Sequence, residues 1–139
     1  MNSVLVDTGP LVAILASRDQ YHSACVEVLK SLRPPLVTCW PVITEAAYLL
    51  RQSPAALQSL FRMLERGFLV LAPLDSSAAP WFAEFFDQYH DQEPQLADAA
   101  IVYLAGREGI ETIFTLDHRH FSVFRLPGNR PLTLLPQNR

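Results

Sequence analysis

Acidic side chains stand where strands end or helices begin: Asp7 follows Val4, Leu5 and Val6, Asp117 follows the apolar run 112–115, and Glu45 and Asp98 sit in or near the first turns of two helices. An apolar strand that ends on a carboxylate and turns through Gly9 and Pro10 into a helix places that carboxylate at its carboxyl end, the edge where open α/β sheets bind ligands. Parallel strands put Asp7 and Asp117 on one edge, and helix starts leaving that edge bring Glu45 and Asp98 to the same side. Nothing basic in the nearby sequence neutralises all of them.

Two like charges about 4 Å apart repel by roughly 4 kcal/mol at an effective dielectric of about 20, against a total domain stability of only about 5 to 15 kcal/mol. Either the group stays partly protonated or a cation fills it. Mg²⁺ or Mn²⁺ suits an all-oxygen site, whereas zinc wants His or Cys. The chemistry such a site points to is phosphodiester hydrolysis, in which one or two ions lower the pKa of a water, present hydroxide to phosphorus and stabilise the leaving oxygen. Each acid also has a plainer reading. Asp7 suits a turn or helix cap, Glu45 the helix dipole, Asp98 a first helical turn, and Asp117 a surface turn. Only their joint placement favours chemistry.

The elements that must position these acids are readable in order. A short helix over 11–16 follows the first strand, with Pro10 acceptable in its first turn. Tyr21, Ala24, Cys25, Val28, Leu29 and Leu32 fall on one helical stripe, which Pro34 and Pro35 stop before a strand at 36–39. Pro41 opens a helix with Ile43, Ala46, Ala47 and Leu50. Ser53 and Pro54 start another, with Leu57, Leu60, Phe61 and Leu64 on one face and Gly67 as its stop. After a strand at 68–71, Ser76 or Ser77 caps a helix carrying Phe82, Phe85, Phe86 and Tyr89. An acidic loop over 89–94 leads into a helix with Leu96, Ala99, Ala100, Tyr103 and Leu104. A fourth strand at 112–115 and a fifth at 132–135 complete the pattern. Strands alternating with helices predict a parallel sheet of four to five short strands inside an α/β/α sandwich. With no repeat or linker, residues 1–139 read as one domain.

At 139 residues the chain is long enough to bury a core without metal or disulfide staples. Cys25 and Cys39 form no CxxC pair and no zinc spacing, which fits a reduced, cytoplasmic protein. Met1 and Asn2 lead directly into a strand with no signal-type region, and no apolar run reaches the roughly 20 residues of a bilayer span. The net charge of -3 carries no general nucleic-acid footprint. Lys30, however, is the only lysine among 11 basic residues, and arginine grips phosphate through its planar fork.

The quoted acids and their flanks resemble the PIN domain family, in particular the small VapC-like toxins of prokaryotic toxin–antitoxin pairs. The resemblance runs through Val6, Asp7 and Thr8; Thr44, Glu45 and Ala46; Leu96, Ala97, Asp98 and Ala99; and Thr115, Leu116 and Asp117 followed by His118, Arg119, His120 and Phe121. It implies a three-layer α/β/α fold, a Mg²⁺- or Mn²⁺-dependent endoribonuclease, a small antitoxin covering the cleft, and a homodimer. Asp7, Glu45, Asp98 and Asp117 would then be the catalytic, metal-binding acids. Thr8 and Thr115 would orient a carboxylate or a metal-bound water. Arg119 and Arg125 are the arginines best placed to meet RNA, or they are solvated surface charge. Asp91 and Glu93 either join the site or solvate its loop, and the second reading is preferred.

Other features carry less. His118 and His120 form an HxH pattern that a transition metal could use, although loop histidines are more often simply exposed. His22 and His90 have no evident partners, and Cys25 reads as core. Trp40, Trp81 and the Phe82–Tyr89 series could stack bases, but their helical spacing favours core or a protein contact. Enzymes that phosphorylate a strand-end aspartate need a nearby lysine, which Lys30 is not. With only 5 glycines there is no GxGxxG or Walker loop. The remaining rival is a non-catalytic PIN-like binding or regulatory module.

Overall fold

The computed structural model describes residues 3–137; Met1, Asn2, Asn138 and Arg139 lie outside the described residues. Val4–Val6 (β1) is buried along its whole length, as expected of a strand covered on both faces. It leads into α1 (Thr8–Leu15), α2 (His22–Ser31), β2 (Leu36–Thr38), α3 (Trp40–Leu49), α4 (Pro54–Glu65) and β3 (Leu69–Leu71). A 3₁₀ turn at Ser76–Ala78, α5 (Ala79–Gln88), a second 3₁₀ turn at His90–Gln92 and α6 (Leu96–Glu108) follow. The chain closes with β4 (Thr112–Phe114), α7 (His118–Phe121), β5 (Arg125–Leu126), β6 (Arg130–Pro131) and β7 (Thr133–Leu135).

The main sheet runs β3-β2-β1-β4-β7 and is parallel throughout, with Leu5 beside Val37 on one side and Ile113 on the other. Helices flank it: α1 packs on α2, α3 and α4, while α6 packs on α3 and α5. From β1 the chain winds outward through β2 to β3, then returns to lay β4 on the other side of β1. Strand order therefore reverses between β1 and β4, the kind of crevice where open sheets take their ligands. Asp7 and Thr115 leave these two strands at that point.

Several boundaries differ from the sequence reading. Helix α1 begins at Thr8, directly after Asp7, because Gly9 and Pro10 fit a first helical turn and Gly9 packs against Leu116, which would lie 3.3 Å from an added Cβ. Asp75, rather than Ser76 or Ser77, caps the turn before α5, its carboxylate accepting from the Ser77 amide. Ser53 caps α4 as expected, accepting from the Ala56 amide. Tyr21, Ala24 and Phe61, which lie on the apolar stripes of α2 and α4, are exposed. The short helix α7 and the antiparallel β5–β6 hairpin were not anticipated, being too short to show periodicity.

Candidate active site

Asp7 is held by the sheet before its side chain is considered. Its amide donates to Phe114 O at 2.9 Å, extending the β1–β4 ladder, and the Thr38 hydroxyl donates to Val6 O at 3.0 Å from the other side. Asp7 occupies the N-cap position of α1, yet its carboxylate makes no capping hydrogen bond. It accepts instead from the Thr115 hydroxyl at 2.8 Å, and the same Thr115 oxygen accepts from the Asp117 amide at 3.0 Å. One hydroxyl thus couples the ends of the two central strands. Burial lifts the Asp7 carboxyl to about 7, against the lowering pull of the Thr8 amide and the Thr115 hydroxyl, with the Asp98 and Glu45 charges adding to the rise.

The other acids converge on the same place. Asp7, Thr8, Gly9, Glu45, Glu93, Gln95, Asp98, Leu116, Asp117 and His120 line one cavity of about 410 Å³. Glu45 lies in the second turn of α3, with no acid in that helix's first turn, so the dipole reading does not explain it. Asp98 is the third residue of α6 in a capping box, its Oδ2 accepting from the Gln95 amide at 2.9 Å. Burial raises the Asp98 carboxyl; the Gln95 amide and His120 oppose the rise, and Asp117 and Glu45 add to it. Helix α6 is buried on nearly all sides, which is what carries Asp98 to the centre.

A divalent cation fits this donor set. All the acidic ligands are hard oxygens, burial and neighbouring acids hold two of the carboxyls above their usual range, and Thr8 Oγ1 is buried with no hydrogen-bond partner. An orphaned buried hydroxyl is costly, and Thr8 borders the acidic cavity. Among the described residues, no three His, Cys, Asp or Glu side chains are already drawn together as a metal cage. Mg²⁺-type sites commonly use one or two carboxylates and complete their shell with water and substrate phosphate.

The remaining candidates fall elsewhere. Thr115 acts from behind Asp7 and does not line the cavity. Arg119 is exposed on α7. Arg125 lines a separate cavity of about 300 Å³ with Trp81, Glu84 and Tyr89, its guanidinium donating to Ser122 O and Phe124 O. Glu93 borders the acidic cavity and is exposed, whereas Asp91 is exposed and does not border it. The HxH pair does not converge: His118 Nε2 meets Thr115 O at 3.0 Å, and the His120 ring lies between Asp117 and Gln92. His22 and His90 do have partners, the carbonyls of Ala13 and Asp87. Trp81 stacks on Phe85 at 5.3 Å, in a cluster with Tyr103. Glu93 was hard to read in advance because its position follows from a left-handed backbone (φ 50°), which a glutamate does not advertise. The contact of His120 with Asp117 was more legible, since His120 stands three positions after an acid at a helix start.

The PIN domain family model matches residues 4–125. Ribonuclease VapC26 of Mycobacterium tuberculosis (strain ATCC 25618 / H37Rv) is 34% identical over 135 residues, covering 96% of this chain and 100% of that protein. The crystal structure of Mycobacterium tuberculosis VapC20, described as a Sarcin-Ricin loop cleaving toxin, has the same fold, with a TM-score of 0.76 at 18% identity over 84% of this chain and 91% of that one. Since the match runs from the first residue of β1 to the first of β5 and takes in the whole acidic cavity, the chain belongs to the PIN domain family.

Proposed function

We propose that this protein is a divalent-metal-dependent endoribonuclease that hydrolyses RNA phosphodiester bonds as the toxin of a toxin–antitoxin pair. The observation that carries this reading is the meeting of Asp7, Glu45, Asp98 and Asp117 on one cavity at the point where strand order reverses. Its similarity to Ribonuclease VapC26 over nearly the whole of both chains supports the substrate class. Asp7, Glu45, Asp98 and Asp117 are the carboxylates from which Mg²⁺ or Mn²⁺ would draw its protein ligands. When bound, such an ion lowers the pKa of a water and stabilises charge on the leaving oxygen. Thr115 fixes the Asp7 carboxylate by donating to it, and Thr8 lines the same cavity. Glu93 closes one wall, and Arg119 is the exposed cation nearest in sequence to Asp117 for contact with RNA phosphate.

The reading extends to one domain over 1–139, a cytoplasmic setting, a small antitoxin over the cleft and a homodimer. No helix of the described residues is long and apolar enough to cross a membrane. On α3, Trp40, Tyr48 and Leu49 are 58%, 61% and 53% exposed, the kind of apolar surface that marks a protein contact.

Cleavage of single-stranded RNA is measured with Mn²⁺ and with EDTA, for wild type, Asp7→Asn and Asp98→Asn. Wild type is expected to cut only with metal. Both variants are expected to lose at least about a hundredfold in rate, the scale of a missing transition-state charge contact, while retaining a cooperative melting transition. Metal-dependent cleavage by a variant at the wild-type rate would remove that acid from the catalytic set. Absence of cleavage by wild type would favour the non-catalytic PIN-like module.

A further inference from the structure

His120 is gripped from both ends of its ring. Nδ1 lies 2.8 Å from Asp117 Oδ2 and 3.0 Å from Asp117 Oδ1. Nε2 lies 3.0 Å from the carbonyl oxygen of Gln92, a residue 28 positions earlier in the chain. A carbonyl only accepts, so Nε2 is the donor to Gln92 O. The ring also stacks against Phe124 at 6.3 Å and 21°, and Phe124 is fully buried against Phe85, Tyr89 and Phe121. The imidazole is therefore held by a carboxylate, a carbonyl and an aromatic face at once.

What His120 joins are two walls of one cavity. Asp117 belongs to the chain leaving β4, whereas Gln92 ends the 3₁₀ turn before Glu93. Glu93 follows in a left-handed conformation that non-glycine residues seldom adopt, and it too lines the acidic cavity. Strain of this kind persists only where surrounding contacts over-determine it; the Gln92–His120 bond is one such contact.

We propose that His120 is a positioning residue for the cation site: its imidazole aims the Asp117 carboxylate and ties down the turn that presents Glu93. The proposal rests on the metal-dependent reading above. It assigns His120 no contact with the ion and no part in bond breaking.

Asparagine and glutamine divide the two jobs. The amide of Asn reaches about as far as Nδ1, and that of Gln about as far as Nε2. Binding of Mn²⁺ alone, by titration calorimetry, and hydrogen exchange of peptides covering residues 89–95 are measured for wild type, His120→Asn, His120→Gln and His120→Ala. His120→Gln and His120→Ala are expected to bind Mn²⁺ about 10- to 100-fold more weakly, the usual effect of removing a group that orients a metal ligand. His120→Asn should bind close to wild type. The 89–95 peptides should exchange faster in His120→Asn and His120→Ala but stay protected in His120→Gln. Melting in EDTA separates a general loss of folding from this split, and the Asn–Gln comparison stands even if the alanine variant unfolds. Equal Mn²⁺ affinity in wild type and His120→Gln would overturn the proposal alone. A folded wild type that binds no Mn²⁺ would sink the metal reading and the proposal with it.

Discussion

Asp7 carries the largest conflict between burial and charge in this chain, and the conflict gives its stability a pH signature. Its carboxyl sits at about 7 in the folded protein against 3.8 for the free group, so the native state binds more protons than the unfolded state between those values. Stability must then fall as pH rises through that window, by up to about 4 kcal/mol at about 1.4 kcal/mol per pH unit. In EDTA, wild type is expected to lose melting temperature relative to Asp7→Asn between pH 5 and pH 8, and Mn²⁺ should flatten the difference by favouring the ionised form. Parallel melting curves for the two proteins across that range would show that Asp7 ionises without hindrance. At the same scale Asp98 holds two tasks, since the oxygen that closes the capping box belongs to a side chain facing the cavity. An asparagine can still accept from Gln95, which is why substitution there separates charge from helix capping.

Among the elements that deliver an acid, all but α3, whose start has no side-chain cap, are tied or buried where the acid stands. β1 and β4 share the Thr115 bridge, α6 is buried nearly all round, and α7 begins on Asp117 itself. Helix α4 delivers none. Its Ser53 cap is local, so Ser53→Ala should cost about 1 kcal/mol in urea unfolding and leave RNA cleavage unchanged. A cleavage defect at full occupancy of the folded state would mean that α4 feeds the site. Periodicity located these helices well, because a buried stripe repeats with the helical turn. It overstated α2, where Cys25 is buried but Tyr21 and Ala24 are exposed, since a stripe shows which face is apolar and not how far the neighbouring layer extends to cover it.

For the whole molecule, the sheet order β3-β2-β1-β4-β7 makes the acidic cavity a product of topology. Had β4 paired outside β3, Asp117 would stand two strands further from Asp7 with the same local sequence. Because the acids come from separate elements, a cation bound among them ties β1, α3, α6 and α7 together and must stabilise the native state as a whole. Saturating Mn²⁺, at about a hundred times Kd, is expected to raise the melting temperature by on the order of 10 °C. No shift at millimolar Mn²⁺ would count against a metal-binding native state.

By itself the sequence determined the alternation of short apolar strands with amphipathic helices, and it set a carboxylate just past β1 and β4. These are local facts, written in hydrophobic period and in the residue that follows a strand. Only the tertiary structure decided that Glu93 borders the acidic cavity, that Arg125 spends its guanidinium on nearby carbonyls in another cavity, and that His120 bridges Asp117 to a turn 28 residues away. Each of those outcomes depends on contacts between distant segments, and local pattern carries no information about which distant segment will arrive.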